Sequence, residues 1–272
     1  MNLLHISDPH FKAEKYNVEP NKALDGLVEL INKKSEKENL FILLTGDITS
    51  KGNKKGFEQA TRFFNCLFEK SKINSKNFIV CPGNHDCDIE KHFEDFNTFA
   101  YSIREDHELE FDTTNSNRIY IKDNICFLSI NTAYHLESKY GKVDIDNLQN
   151  LLRDKSKEIE KTKIKIILCH HHILNLNDKD SSAIKNSYQL FELLRKYNFN
   201  FLFHGHQHSR QLFKINNIQV NSTSSLLETR TNSNLIAYYE IRDVDDFVKE
   251  EYTFLKDETN SDGRQGSYRK IC

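Results

Sequence analysis

The feature that most constrains this chain is a junction that recurs five times: a short apolar run stops, and the next few residues are Asp, Asn or His. Residues 3–7 run into Asp8 and His10, residues 41–45 into Gly46 and Asp47, and residues 78–81 into Pro82, Gly83 and then Asn84, His85 and Asp86. Residues 163–169 are followed by His170, His171 and His172, and residues 199–203 by His204, His206 and His208. Short apolar runs stopped by Gly, Pro or a polar cluster are the signature of buried strands. Between the first three runs the apolar residues fall on helical spacing: Leu24, Leu27, Val28 and Ile31, then Phe57, Ala60, Phe64, Leu67 and Phe68, then Phe93, Phe96, Ala100 and Ile103 beyond the third. Strand and helix in alternation predict an α/β fold. In open α/β sheets ligands gather beyond the carboxyl ends of the strands, so five segments are expected to deliver metal-type ligands to one edge.

The texture changes at Asn117. Residues 118–122 and 125–130 flank Asp123-Asn124 and read as a β-hairpin. Ile145, Leu148, Leu151 and Leu152 mark a helix, residues 163–169 a strand, 188–197 a helix and 199–203 a strand. A hairpin around Asn216-Asn217 and strands over 235–241 and 249–255 complete the pattern. With no Gly-, Pro- or Ser-rich linker and no repeat, one domain over residues 1–256 is expected, followed by a polar, mobile tail over 257–272. Two polar stretches, 104–117 and 175–186, are candidates for loops over a site and fit equally as plain surface insertions.

Composition narrows the partners. A chain of 272 residues is long enough to bury roughly 70 to 75% of its unfolded surface. Its 38 basic and 40 acidic side chains give a net charge of −2, which argues against a generic basic nucleic-acid surface. No stretch approaches the ~20 apolar residues of a membrane span, and the start lacks a basic and an apolar leader region, so no membrane partner is expected. The six cysteines are scattered, several of them inside apolar runs, which predicts free thiols and a reducing, cytoplasmic setting. Cys81 and Cys87 flank a histidine, but no second pair completes a structural zinc site.

Each junction alone is weak, because an Asp-x-His or Gly-Asp step arises often by chance and a lone histidine is usually a core or surface residue. Their coincidence is informative. Asp8, His10, Asp47, Asn84, His170, His206 and His208 offer mixed oxygen and nitrogen donors without thiolate, a set suited to Mn²⁺, Fe or Zn²⁺. Seven donors exceed one catalytic site. If one carboxylate bridges, they divide into two sets of four around a metal pair roughly 3.5 to 4 Å apart.

Asp8-Pro9-His10, Gly46-Asp47, Gly83-Asn84-His85-Asp86, His170 and Gly205-His206-Gln207-His208 resemble the five ordered motifs of the calcineurin-like metallophosphoesterase superfamily, across residues 8–208. The resemblance implies a four-layer αββα sandwich of two mixed β-sheets flanked by helices. It also implies two divalent or mixed-valence transition metal ions (Mn²⁺, Fe²⁺/Fe³⁺ or Zn²⁺). One would be held by Asp8, His10 and His208, the other by Asn84, His170 and His206, with Asp47 bridging and His85 as the catalytic histidine. Two such cations withdraw charge from a phosphoryl oxygen and lower the pKa of water for in-line attack. A histidine beside them can protonate the leaving oxygen; the alternative role for His85 is to steady Asn84. His170 is taken as the ligand of the triple histidine because it comes first after the strand. His171 is expected to alternate away if the strand continues, and His172 to reach substrate or support a ligand. His5 and His204 read as structural.

Residues 45–52, Asn131-Thr132-Ala133 with Gly141, and Asn221-Ser222-Thr223-Ser224 are similar to the class III cyclic-nucleotide phosphodiesterase branch. Protein phosphatases of the superfamily carry Asp-Arg-Gly and a Glu where this chain has Ser50-Lys51-Gly52 and Asp86, which disfavours that branch. Ile173 departs from the proline that often follows the histidine motif. The expected activity is hydrolysis of a phosphodiester bond, of a small or cyclic nucleotide. The alternatives are a DNA or RNA nuclease using the same dimetal centre and a noncatalytic protein-interaction scaffold. Lys51, Lys54 and Lys55 form a small basic cluster, read as an exposed helix start. Substrate-binding residues and oligomeric state stay unassigned.

Overall fold

The computed structural model describes residues 1–34, 36–227, 234–255 and 266–271. The amino-terminal half alternates β1 (Asn2–Ile6), α1 (Pro20–Asn32), β2 (Leu40–Thr45), α2 (Lys54–Ser71), β3 (Phe78–Cys81) and α3 (Glu94–Arg104). Then come β4 (Asn117–Lys122), β5 (Ile125–Ile130), α4 (Ile145–Asp154), α5 (Ser156–Glu160), β6 (Ile164–Leu168), α6 (Ser187–Lys196), β7 (Phe201–His204), β8 (Leu212–Ile215) and β9 (Ile218–Ser222). The chain returns through β10 (Leu235–Ile241), β11 (Phe247–Leu255) and β12 (Ser267–Lys270).

Local chemistry sets the helix boundaries. Pro20 opens α1, where its missing N–H has no intrahelical partner to lose. Asn53 caps α2 by accepting from Lys55 N and Gly56 N, and Lys72 ends it in the left-handed region. Asp144 caps α4 through Asn147 N at 3.0 Å. The β4–β5 hairpin turns on Asp123 and Asn124, both at positive φ, as a two-residue turn matched to strand twist requires.

Two six-stranded sheets result, in the orders β12-β11-β10-β1-β2-β3 and β4-β5-β6-β7-β9-β8. Both are mixed: β1, β2 and β3 run parallel while β10 pairs antiparallel with β1, and β5, β6, β7 and β9 run parallel between the antiparallel edge strands β4 and β8. The sheets pack face to face. Phe41 lies 4.9 Å from Phe127 between ring centroids, and the Ser129 hydroxyl donates across the layer to Val80 O at 2.7 Å. The alternate residues Cys126, Leu128, Ile167, Leu202 and Val220 face the other way and pack with Leu148, Leu152, Leu190 and Leu194 of α4 and α6. Helices α1 to α3 contribute Leu27, Phe64 and Phe99 to the core of the first sheet. The layers run helix, sheet, sheet, helix, the αββα sandwich expected from the sequence. Strands buried on both faces are apolar at nearly every position, which is why they read as runs broken only by residues such as His5 and Lys165.

One expectation needs correcting. The sequence reads as a mobile tail from residue 257, but Ser267–Lys270 pairs with β11 as an edge strand, Tyr252 opposite Lys270 and Leu255 opposite Ser267. The reason is Tyr268, whose buried ring packs 5.3 Å from Phe254 and against Gly26 of α1. Residues 257–265 and Cys272 lie outside the described residues. No helix among the described residues is long and apolar enough to cross a membrane.

Candidate metal centre

Strand register does most of the assembly. β1 and β2 pair Leu4 with Ile42 and Ile6 with Leu44, and the pairing continues past both strands: Asp8 N donates to Gly46 O at 3.1 Å, His10 N to Asp47 O at 3.0 Å and Phe11 N to Ile48 O at 2.8 Å. Asp8, His10 and Asp47 therefore leave the sheet side by side. In the second sheet Leu168 pairs with Phe203, and Gly205 N donates to His170 O at 3.0 Å, which sets His170 level with the Gly205-His206 turn. Asp8, His10, Asp47, His206 and His208 all adopt positive φ. Backbone in this region costs about 1–3 kcal/mol per residue and persists where the surroundings over-determine it, commonly at functional sites.

All seven residues singled out in the sequence meet at this edge. In one group His10 Nε2 lies 3.2 Å from His208 Nε2, and His208 Nε2 lies 3.2 Å from Asp8 Oδ1. In the other, His170 Nε2 lies 3.1 Å from Asn84 Oδ1, 3.3 Å from Asp47 Oδ2 and 3.1 Å from His206 Nδ1. Asp8, His10 and His208 form one candidate metal-binding cluster and Asp47, His170 and His206 another, the donor atoms of each lying within 4.8 Å of one another. Asp47 Oδ2 is also 3.8 Å from His10 Nε2 of the first cluster, so this carboxylate stands between the two.

The donor chemistry suits cations. His170 Nδ1 donates to Thr45 O at 2.8 Å, which leaves Nε2 to face Asn84 and Asp47, the arrangement typical of a metal-ligating imidazole. His10 and His208 turn ring nitrogens toward each other, and two neutral rings can satisfy that contact only with one donor and one acceptor; a cation between them accepts both lone pairs. Burial alone would raise the Asp8 and Asp47 carboxyls, but His208 beside Asp8 and His170 beside Asp47 hold both well below the ordinary carboxylate range. Burial opposes a charge on His170, yet the Asp47 carboxylate lifts it to about 10. Burial, with His170 alongside, pushes His206 down to about 3.

His85 occupies a different position. Its N–H donates to Asp47 Oδ1 at 2.9 Å, its carbonyl accepts from Gly52 N at 2.6 Å, and its half-buried ring meets the His10 ring edge-on at 5.5 Å. The backbone is pinned to the centre while the residue stays partly exposed.

Several supporting roles escaped the sequence reading, where Asp86 stood only as the end of a motif. Asp86 accepts from Gly83 N at 2.9 Å, Ile48 N at 3.1 Å and Thr49 N at 3.0 Å, stapling the loops that carry Asp47 and Asn84; burial and nearby Asp47 push its carboxyl up to about 7. Ser7 donates to Asp8 Oδ2 and accepts from Thr45 Oγ1, which is bonded in turn to His5 Nε2. The Ser225 hydroxyl reaches Asp8 O at 2.6 Å. Three glycines are required by close approach: a Cβ at Gly46 would sit 2.7 Å from His170 Nδ1, one at Gly83 would strike the Asp47 carboxylate, and one at Gly205 would strike Ser7 Oγ and the Asp8 carboxylate. A glycine directly before Asp47, Asn84 and His206 was the available signal.

The alternation expected of His171 required the strand to continue. β6 ends at Leu168, so alternation lapses. The His171 ring lies 4.5 Å from that of His206, with Nδ1 held by Thr132 Oγ1 at 2.7 Å. His172 is bonded to Asp180, and His5 and His204 are fully buried. Of the two polar stretches, 175–186 lies beside the centre, where Asp180 meets His172 and Ser182 meets Gln207. The other begins with buried Arg104, which holds Lys76 O and Phe78 O at the amino end of β3, away from the site.

The family model for calcineurin-like phosphoesterases matches residues 1–210. The chain belongs to this family of metal-dependent phosphoesterases. Calcineurin-like phosphoesterases use a dimetal centre, and this chain has two candidate metal-binding Asp/His clusters among the described residues. A probable cyclic nucleotide phosphodiesterase of Xenorhabdus bovienii (strain SS-2004) is 26% identical over 226 residues, covering 80% of this chain and 83% of that protein. A dimetal phosphatase from Danio rerio superposes with a TM-score of 0.62 at 12% identity over 93% of this chain and 94% of its own. A protein of Thermus thermophilus does so at 0.57 and 11%, over 91% and 97%. These two structures share the fold.

Proposed function

We propose that this calcineurin-like phosphoesterase hydrolyses phosphodiester bonds of a small nucleotide, cyclic mononucleotides foremost. In this reading Asp8, His10 and His208 hold one cation, Asn84, His170 and His206 hold the other, and Asp47 is shared. The observation that carries it is the Asp47 carboxylate, whose Oδ2 lies 3.8 Å from a ring nitrogen of one cluster and 3.3 Å from a ring nitrogen of the other. Mn²⁺, Fe or Zn²⁺ would suit these oxygen and imidazole donors. When bound, two such cations neutralise phosphoryl charge and make water nucleophilic at neutral pH.

The chain's own residues do the rest. Asp47 and Asn84 orient the centre, and the backbone hydrogen bonds of His85 keep its imidazole beside the centre yet outside both clusters. From there it donates a proton to the leaving oxygen, work to which an imidazole is suited. The choice of a cyclic nucleotide is supported by the Xenorhabdus relative, a probable cyclic nucleotide phosphodiesterase. The free thiols of Cys66, Cys81, Cys87, Cys126 and Cys169 support a reducing cytoplasm as the working compartment.

Purified protein supplied with Mn²⁺ tests the reading against cyclic mononucleotides, cyclic dinucleotides, and single- and double-stranded nucleic acid, with products separated by chromatography. Turnover of cyclic mononucleotides to nucleoside monophosphates is expected. Cleavage of nucleic acid in their place would make the chain a nuclease, and inertness toward every diester would leave it a scaffold.

A further inference from the structure

The triple histidine contains a residue that the proposed reaction does not use. His172 is buried, and its ring stacks on His206 nearly parallel, at 13° and 5.5 Å. Its Nε2 meets Asp180 Oδ2 at 2.7 Å. Asp180 stands in the polar stretch between β6 and α6, a loop closed at its base where Ile184 N donates to His172 O at 2.9 Å. The other carboxylate oxygen, Oδ1, accepts from Ser182 Oγ at 2.8 Å and Ser182 N at 2.9 Å. The Ser182 hydroxyl in turn accepts from Gln207 Nε2 at 2.9 Å, and Gln207 is the residue between His206 and His208.

One carboxylate therefore fastens two supports of the same ring. Through Oδ2 it orients the imidazole lying flat on His206, and through Oδ1 and Ser182 it tethers the backbone next to His206. His206 also meets the ring of His171, which is held by Thr132. His206 needs such help: it sits at φ +71 in the turn after β7, outside any strand. The Asp180 side chain is only 7% exposed and is held below the ordinary carboxylate range, burial being outweighed by donors from Leu176, Ser182 and His172.

We propose that Asp180 is a positioning residue for His206, acting through the His172 ring and the Ser182–Gln207 tether to fix one of the two metal sites and not the other. This rests on the reading that His206 holds a cation. The carboxylates or carbonyls that usually orient metal-bound imidazoles do so directly, and their loss costs about 10–100-fold in metal affinity; here a stacked histidine relays the same constraint.

The test is Mn²⁺ binding to metal-stripped protein, measured by calorimetry against a competing chelator. For Asp180→Ala the site containing His206 is expected to weaken about 10–100-fold while the site of Asp8, His10 and His208 stays within about threefold. Asp180→Asn, which keeps an acceptor oxygen, and Ser182→Ala, which cuts only the tether, should give intermediate losses at the same site and serve if the alanine variant fails to fold. Asp112→Ala is the control: Asp112 accepts from Thr114 N and Asn115 N in the other polar stretch, and its loss should move neither constant. Unchanged Mn²⁺ constants in the Asp180 variants, or equal weakening of both sites, would overturn the proposal. A wild-type protein that binds no Mn²⁺ would instead overturn the centre itself, and the proposal with it.

Discussion

At the scale of single residues, the site is governed by close approach and shared protons. Gly83→Ala places a methyl group on the Asp47 carboxylate. Because a displacement of about 1 Å can cost about 10²-fold in rate, kcat/KM should fall by that order while circular dichroism stays native; an active variant would mean that the turn can give way. His85→Ala should keep its metals, measured by elemental analysis, and lose about 10²–10⁴-fold in turnover of bis(p-nitrophenyl) phosphate, the contribution of a general acid. Normal turnover would remove His85 from the reaction. His170, raised to about 10 by Asp47, carries a proton below that pH when no cation is bound, and a cation must displace it. Mn²⁺ affinity should thus rise with pH between about 6 and 9 by about tenfold per unit, with one proton released per chain to this group; titration in buffers of different ionisation enthalpy would detect it. A pH-independent affinity would show that no proton is displaced from His170 when the cation binds.

At the scale of elements, the parallel strands were legible because burial on both faces makes them apolar at nearly every position, and the helices because their apolar residues repeat at helical spacing. β12 was not. Four residues with one inward aromatic carry no period, and the strand owes its place to Tyr268 filling the space between Phe254 and Gly26. Tyr268→Ala should cost about 3 kcal/mol, the low end for losing a buried aromatic, in urea unfolding, while leaving activity per folded molecule unchanged. A loss below about 0.5 kcal/mol, the range of surface substitutions, would mean that β12 contributes little to the fold.

At the scale of the whole molecule, two sheets packed face to face bring the carboxyl ends of β1, β2 and β3 against those of β6 and β7, and that convergence makes one centre of residues 198 positions apart, as in the Asp8 to His206 contact. The convergence of the seven candidate donors could be read from sequence because each lies within a few residues of a strand end, where direction is set by register. Asp86 and Asp180 could not, because their roles depend on how loops fold back, which no periodicity encodes. Both metal sites depend on a single carboxylate if Asp47 is shared between the two clusters, and that sharing is open to a count of bound ions. Wild-type protein and Asp47→Asn are equilibrated at the same free Mn²⁺ and their metal stoichiometry is measured. Two ions per wild-type chain, with both weakened in the variant, is the predicted result; a variant that still holds two ions, or loses one and keeps the other at full affinity, would contradict it.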